Sequence, residues 1–475
     1  MIVDMPSESS RNGPPGVVFS RSLRYLEAFQ GSGGVNMAGS GKEHMADDPS
    51  GLARANTGAR ATRWLFAGLF LLYMFDYIDR EVISSLIPFL KSDLGVTDTQ
   101  AGSLASAVYW SIVIFTFPVS ILVDRWSRKR SVGLMVMLWS IATGLAAAVR
   151  TFPQLFLTRL GVGVGEAGYA PGGTAMISAM YPMEKRSRMT GLWNASIPLG
   201  SAIGVALGGV IATKWGWKHA FGIVAIPGFI IGALFFFFAR DYRTVKLERA
   251  ATVNRAAQKM RMREIVRDFL HTPSLLLTYV AFAGNTFLTS AYLIWLPSYF
   301  VRTEGLAAGP AGLKASSIML LAIIGAPLGG YIVDAWRKKR PAARPLFAGL
   351  STLLSAAIWL LAFGVFAGTA QYIVMMIAAV STLLYLSGAS AVTQDVVHPG
   401  LWAISYAICV IVQNLLGSST GPIAVGALSD RFGLSAAMLV VPVASILAGV
   451  LFLLAAVFYR RDLDKVDKVV VEMEG

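Results

Sequence analysis

The chain has one cysteine in 475 residues, Cys409, so no intramolecular disulfide can form. That cysteine lies in an apolar run, which argues against thiol catalysis. The four histidines, His44, His219, His271 and His398, are scattered and make no metal-ligand spacing. Charge is scarce as well: 14% of residues are charged, 55% are hydrophobic, and the mean hydropathy is +0.60. A soluble protein of this length needs far more charge to cover its surface. No GxxxxGK[ST] loop and no nucleophile–base pair occurs, which leaves direct ATP drive and enzymatic chemistry without support. The net charge is +14, yet the basic residues sit in short loops between apolar runs. That is the positive-inside pattern of a membrane protein, so no nucleic-acid partner is expected.

What is present is a succession of apolar runs of about 20 residues, the length that crosses a bilayer as a helix. They fall at about 63–90, 99–123, 131–149, 154–180, 188–213 and 219–239, then at about 274–301, 313–334, 345–367, 371–396, 401–428 and 435–459. The expectation is an all-α membrane protein of twelve transmembrane helices in two six-helix bundles. Residues 1–61 read as a disordered tail, rich in Gly, Ser, Arg and Asn, with Met1, Met37 and Met45 as alternative starts. The N-terminal bundle is 62–239, a linker is 240–272, the C-terminal bundle is 273–460, and 461–475 is a tail. The linker has two readings, an interfacial amphipathic helix or a solvated connection.

Orientation follows from the loops. Arg125, Arg128, Lys129 and Arg130, then Lys185, Arg186 and Arg188, the run Arg240 to Arg267, Arg337 to Arg340, and Arg460 with Arg461 share one side if the helices alternate. The other side offers only Lys91, Lys214, Lys218 and Lys314. Both termini are therefore expected in the cytoplasm of an inner-membrane protein. The halves also echo each other. Ser120 to Arg130 reads SILVDRWSRKR, Gly329 to Arg340 reads GGYIVDAWRKKR, and Gly426 to Gly433 reads GALSDRFG. A repeat on this scale implies two related bundles with a site between them.

Charges inside the apolar runs mark that site. Leu157 to Pro171, LTRLGVGVGEAGYAP, carries Arg159 and Glu166 seven residues apart, close to two helical turns. Gly161, Gly163 and Gly165 between them let neighbouring helices come close. Each such charge costs at least about 2.5 kcal/mol in hydrocarbon, so this stripe faces a polar interior. The first helix adds Asp76, Asp79 and Arg80 on one face. A carboxylate beside an arginine stays ionised; if the arginine turns to a substrate anion, the carboxylate takes up a proton. Asp79 and Glu166 are thus the expected proton carriers, and Arg80 and Arg159 the cations that bind an anion or balance the network. The second half is poorer in charge. Asn285, Trp295, Gln413 and Asn414 are its candidates for the substrate site, with helix–helix bonding as the other reading. Asp124, Arg125, Arg128, Lys129 and Asp334 are expected at a cytoplasmic gate, where Asp124 can cap the amides of a helix start.

Residues 62–460 resemble the major facilitator superfamily. DRWSRKR matches its loop signature, with Ser120 where the glycine is usual. Within the superfamily, Phe75 to Gly102, Thr158 to Pro171, Arg186 to Gly209 and Thr393 to Pro422 are similar to the spinster group of lipid transporters. The anion:cation symporters of sugar acids share the Asp-Arg of helix one and the Arg/Glu of helix four. The resemblance implies a secondary transporter working by alternating access, with protons as coupling ion and no other cofactor. Its substrate would be an amphipathic lipid, a lysophospholipid or sphingoid phosphate, and the alternative is a small organic anion. It implies the same roles for Asp79, Arg80, Arg159 and Glu166. Membrane lipids are the other expected partners, and nothing demands more than a monomer.

Overall fold

The computed structural model describes residues 59–181, 183–239, 267–398 and 401–466. Its helices are α1 (Ala59–Leu94), α2 (Asp98–Arg125), α3 (Arg128–Leu145), α4 (Phe152–Glu166), α5 (Tyr169–Met180), α6 (Met183–Asn194), α7 (Ser196–Trp215) and α8 (Trp217–Phe238). The second half holds α9 (Pro273–Glu304), α10 (Ala308–Leu321), α11 (Gly325–Arg337), α12 (Ala343–Gly364), α13 (Gly368–Thr382), α14 (Leu386–Asp395), α15 (Trp402–Val412), α16 (Thr420–Phe432), α17 (Leu434–Val440) and α18 (Pro442–Asp464). Several pairs continue one another through a single bend, so the traverses among the described residues number twelve, at the places the apolar runs predict. Ten are long and apolar enough to cross a bilayer by length and composition. The other two are α1 and the broken pair α4–α5, which carry the charges.

The breaks have local causes. Gly168 separates α4 from α5 directly after Glu166. In the eleventh traverse a π-helical turn, Gln413–Ser418, joins α15 to α16. Such turns recur at functional sites. Ser127, within the DRWSRKR loop, caps α3 by accepting from the Arg130 amide at 3.2 Å. Gly216 joins α7 to α8 at φ 89°, and Gly433 joins α16 to α17 at φ 82°. Both have extended ψ, a region that only glycine occupies readily, so the two halves use the same one-residue joint.

Small residues then set the packing. Gly200, Gly204 and Gly208 line α7 against Met74, Ile78 and Val82 of α1. A Cβ on Gly204 would stand 2.7 Å from the Ile78 carbonyl oxygen. Gly204→Val is therefore expected to lower stability by about 1–3 kcal/mol through overpacking, read as a lower melting temperature of the purified protein. Gly163 and Gly165 face α2 and α3 in the same way, as the stripe predicts. The halves meet through α2 against α16 and α7 against α10, where Gly102, Gly426, Gly209 and Gly312 allow backbone contact. Ser106 donates to the Ser419 carbonyl, and Ser316 to the Ala202 carbonyl at 2.8 Å.

The linker falls almost wholly outside the described residues, as do both tails, so neither reading of it is decided. α1 is longer than expected at both ends, and the last helix runs on to Asp464.

Candidate functional site

α1 turns four ionisable side chains into the first bundle: Asp76, Asp79, Arg80 and Glu81. Arg80 donates through Nη2 to Glu166 Oε2 at 2.5 Å and lies 3.4 Å from Asp76 Oδ2. Its guanidinium also stands over the rings of Tyr77 and Tyr109, at 4.6 and 5.4 Å from their centroids. It is 11% exposed, whereas its two acid partners are buried. Glu166 is the last residue of α4, just before the break at Gly168.

Arg159 is fully buried, two turns away on the same helix, and takes a different partner. Its Nη1 donates to the main-chain oxygen of Asp79 at 3.3 Å, and its guanidinium stacks 4.8 Å from the Phe221 ring centroid. The Asp79 carboxylate lies in a junction of α1, α3, α4 and α8. Its nearest donors are Thr143 Oγ1 and Trp139 Nε1, which act on the carboxylate without closing a bond of good hydrogen-bond geometry, and Ser140 Oγ nearby makes none either. A Cβ on Gly228 would meet Ser140 Oγ at 2.7 Å and Asp79 Oδ2 at 3.8 Å, which fixes how close these groups come. The five charged residues read from the sequence therefore form two cells, Arg80 with Glu166 and Asp76, and Arg159 with Asp79.

One acid escaped the sequence reading. Glu81 is buried, with Oε2 unpartnered, and the charged groups acting on it are Arg80 and Asp76. The signal was present in the run Asp-Arg-Glu at 79–81. Four carboxylates (Asp76, Asp79, Glu81, Glu166) thus face two guanidiniums (Arg80, Arg159), in place of the near-balance of three to two expected.

The second-half candidates are largely occupied by their own bundle. Asn285 donates to Thr352 Oγ1 at 3.1 Å and accepts from Ser445 Oγ at 3.3 Å. Trp295 is fully buried and donates to the Pro422 carbonyl at 3.0 Å. Both serve helix–helix bonding in this conformation. Gln413 and Asn414 are half-buried in the π-helical turn, with Gln413 donating to Cys409 Sγ at 3.1 Å. Of the expected gate residues, Lys129 is half-buried and Asp334 exposed; the side chains of Asp124, Arg125 and Arg128 lie outside the described residues. Asp395, at the end of α14, pairs with Arg344 and accepts from Tyr459 Oη at 2.6 Å.

A second polar cluster joins the halves on the side away from the basic loops. Asp98 accepts from Arg302 Nη1 and Nη2, both at 2.7 Å, from Lys91 at 2.6 Å and from Ser429 at 2.6 Å. Asp430 returns the bond across the interface. It accepts from the amides of Asp98 and Thr99 at 2.8 and 2.9 Å, and from the Thr99 hydroxyl at 2.6 Å. A carboxylate capping a helix start is the role the sequence assigned to Asp124; here the third copy of the motif plays it, at the start of α2.

Twelve traverses, two echoing bundles and a charged network inside the first describe a secondary transporter fold. Residues 69–419 match the family model described as Major Facilitator Superfamily, and the chain belongs to that family. It is an integral multi-pass membrane protein and a transporter of this superfamily. It is 28% identical to the hexuronate transporter of Bacillus subtilis (strain 168) over 370 residues, 77% of this chain and 87% of that one. It is 27% identical to protein spinster homolog 1 of Xenopus tropicalis over 428 residues, 83% of this chain and 80% of that one. With the sphingosine-1-phosphate transporter SPNS2 of Danio rerio it shares 26% identity, covering 84% of each chain. Among solved structures it is similar to a bacterial homolog of the human lysosomal transporter Spinster in an inward-facing conformation. The TM-score is 0.75 at 20% identity, over 86% of this chain and 99% of that one. These likenesses fall on both groups named from the sequence, the spinster proteins and the sugar-acid symporters.

Proposed function

We propose that the chain is a proton-coupled transporter working by alternating access, and that it moves an amphipathic lipid with an anionic or zwitterionic head. The observation that carries this is the Arg80 cell. A guanidinium is bound by Glu166 and Asp76 and partly exposed, so it can exchange a carboxylate for a substrate anion. The carboxylate released then takes a proton, which ties substrate binding to proton binding. In the same way Asp79, buried with only the loosely placed Thr143 and Trp139 donors at its carboxylate, can hold a proton while Arg159 stays in the network.

The contrast between the halves supports the lipid. The first supplies the charges, and the second keeps its polar groups Asn285 and Trp295 tied to their neighbours, leaving an apolar face for an acyl tail. The likeness to spinster homolog 1 and SPNS2 agrees with it. The likeness to the hexuronate transporter favours a second reading, symport of a sugar acid, in which Gln413 and Asn414 supply specificity.

Two ligand panels separate these readings. One holds lysophospholipids and sphingoid phosphates, the other sugar acids and dicarboxylates. A ligand at a hundred times its Kd is expected to stabilise the purified protein by about 2.7 kcal/mol, read as a raised melting temperature. The effect is to be repeated with Arg80→Ala, because detergent-like lipids shift melting nonspecifically. Stabilisation by lysolipids that Arg80→Ala removes supports the lipid reading. Stabilisation by sugar acids alone moves the protein to the second reading.

A further inference from the structure

Around Arg80 the charges do not balance. Three carboxylates, Asp76, Glu81 and Glu166, are buried about one guanidinium. Arg159 acts first on Asp79, through the main-chain bond and the carboxylate it faces, and second on Glu166; it is not among the charges acting on Asp76 or Glu81. Of the helices packed against α1, α3 carries Lys129 and Arg130 and α6 carries Arg186 and Arg188, near their starts and half-buried or exposed; among the described residues none of them pairs with Asp76, Glu81 or Glu166. On α2 the facing titratable group is Tyr109, on α4 it is Glu166, and on α5 it is Tyr169. The one charged residue of α7 is Lys214, at its far end; Lys218 and His219 lie at the start of α8. Arg302 of α9 is held by Asp98, and Lys314 of α10 by Glu304. Among the described residues no group of His, Cys, Asp and Glu has a metal-binding arrangement.

A buried unpaired charge costs several kcal/mol, so three carboxylates on one arginine do not all stay ionised. Glu166 and Asp76 share the Arg80 Nη2 donor directly. Glu81 does not, and its Oε2 has no partner at all. An ionised oxygen left so is costly, whereas a protonated carboxyl carries no charge and can donate its own hydrogen. We propose that Glu81 is a proton-holding member of the network, so that the Arg80 cell carries a proton which Glu166 alone does not account for. Binding adds one O–H bond and removes one negative charge, with bulk water as source and sink of the proton. The inference rests on the transport reading only for its use in the cycle; the protonation itself is independent of any substrate.

The test is an infrared titration of the full chain in phosphatidylcholine bilayers, with proton uptake followed by an indicator dye. Glu81→Gln is expected to lose a protonated-carboxyl C=O band and to take up about one proton fewer per molecule on acidification. Tyr109→Phe keeps the acid but changes its surroundings, and is expected to shift that same band. Unchanged bands and uptake in Glu81→Gln overturn the proposal. If Glu81→Gln does not fold, bands unmoved in Tyr109→Phe overturn it. Gradients of glucuronate and of lysophosphatidylethanolamine supply the separate check on transport. Flux of neither, with the Glu81 band lost as expected, removes the transport reading and leaves the proton site. Coupled flux with the bands unchanged does the reverse.

Discussion

Glu166→Gln is expected to leave the protein folded and able to bind its anion, while uptake no longer responds to a pH gradient. The geometry supports this. Arg80 lies 2.5 Å from Glu166 Oε2, and a Gln carbonyl can accept the same bond. The substitution therefore copies the protonated acid in shape and charge but cannot release its proton. One coupled proton converts each pH unit into about 1.4 kcal/mol, a tenfold accumulation ratio. In vesicles with a pH jump the wild type should show that ratio, and the variant a ratio near one. Exchange without a gradient should continue, which separates lost coupling from lost binding. pH-driven accumulation that persists in the variant removes Glu166 from the proton path.

Asp98→Ala is expected to shift the balance between conformations strongly. Asp98 accepts four bonds, two of them from Arg302 and one from Ser429 across the halves. Truncating one partner of a buried charged pair costs about 2–5 kcal/mol, here charged to the conformation in which the halves meet at this point. The population should move by about 30-fold or more toward opening on this side. Spin labels at Ser92→Cys and Arg431→Cys, both exposed positions flanking the cluster, would report it as a longer distance. Cys409 is buried and leaves the background clear. An unchanged distance distribution would show that the small-residue contacts of α2 with α16 hold this side shut without the ion cluster.

The sequence made the traverses legible because each one is a run of apolar residues with polar ends, and hydrocarbon imposes that pattern helix by helix. It also made legible that Arg159 and Glu166 face inward. It did not tell which partner each would take. Spacing along α4 sets a shared face, but the choice of Asp79 or Arg80 depends on how α1 is rotated and how far it is shifted along its axis, and Gly200, Gly204 and Gly208 of another helix decide that. Glu81 was passed over because, inside the same 63–90 run, it falls off the face that Asp76, Asp79 and Arg80 share, yet α1 is buried all round from Glu81 through Ile87. For Asn285 and Trp295 the sequence left two readings open, cavity lining and helix–helix bonding: a polar or amphipathic group on an apolar helix marks a polar neighbour, and in this conformation that neighbour is Thr352 in one case and a main-chain carbonyl in the other. The Asp98–Arg302–Asp430 cluster joins residues more than two hundred positions apart, beyond the reach of any local pattern.

The Arg80–Glu166 pair also bears on how the chain is made. It links α1 to α4, the two traverses absent from the ten that are apolar enough to span a bilayer alone. During synthesis each of these helices leaves the translocon carrying charges worth about 2.5–3.5 kcal/mol apiece at the bilayer centre. The first must wait near the protein-conducting channel, or at the membrane surface, until the fourth emerges with the opposite charge. Biogenesis of the N-terminal bundle is therefore expected to be a joint event: the contact that serves the mature protein would also let the two traverses that carry the buried charges enter the lipid together.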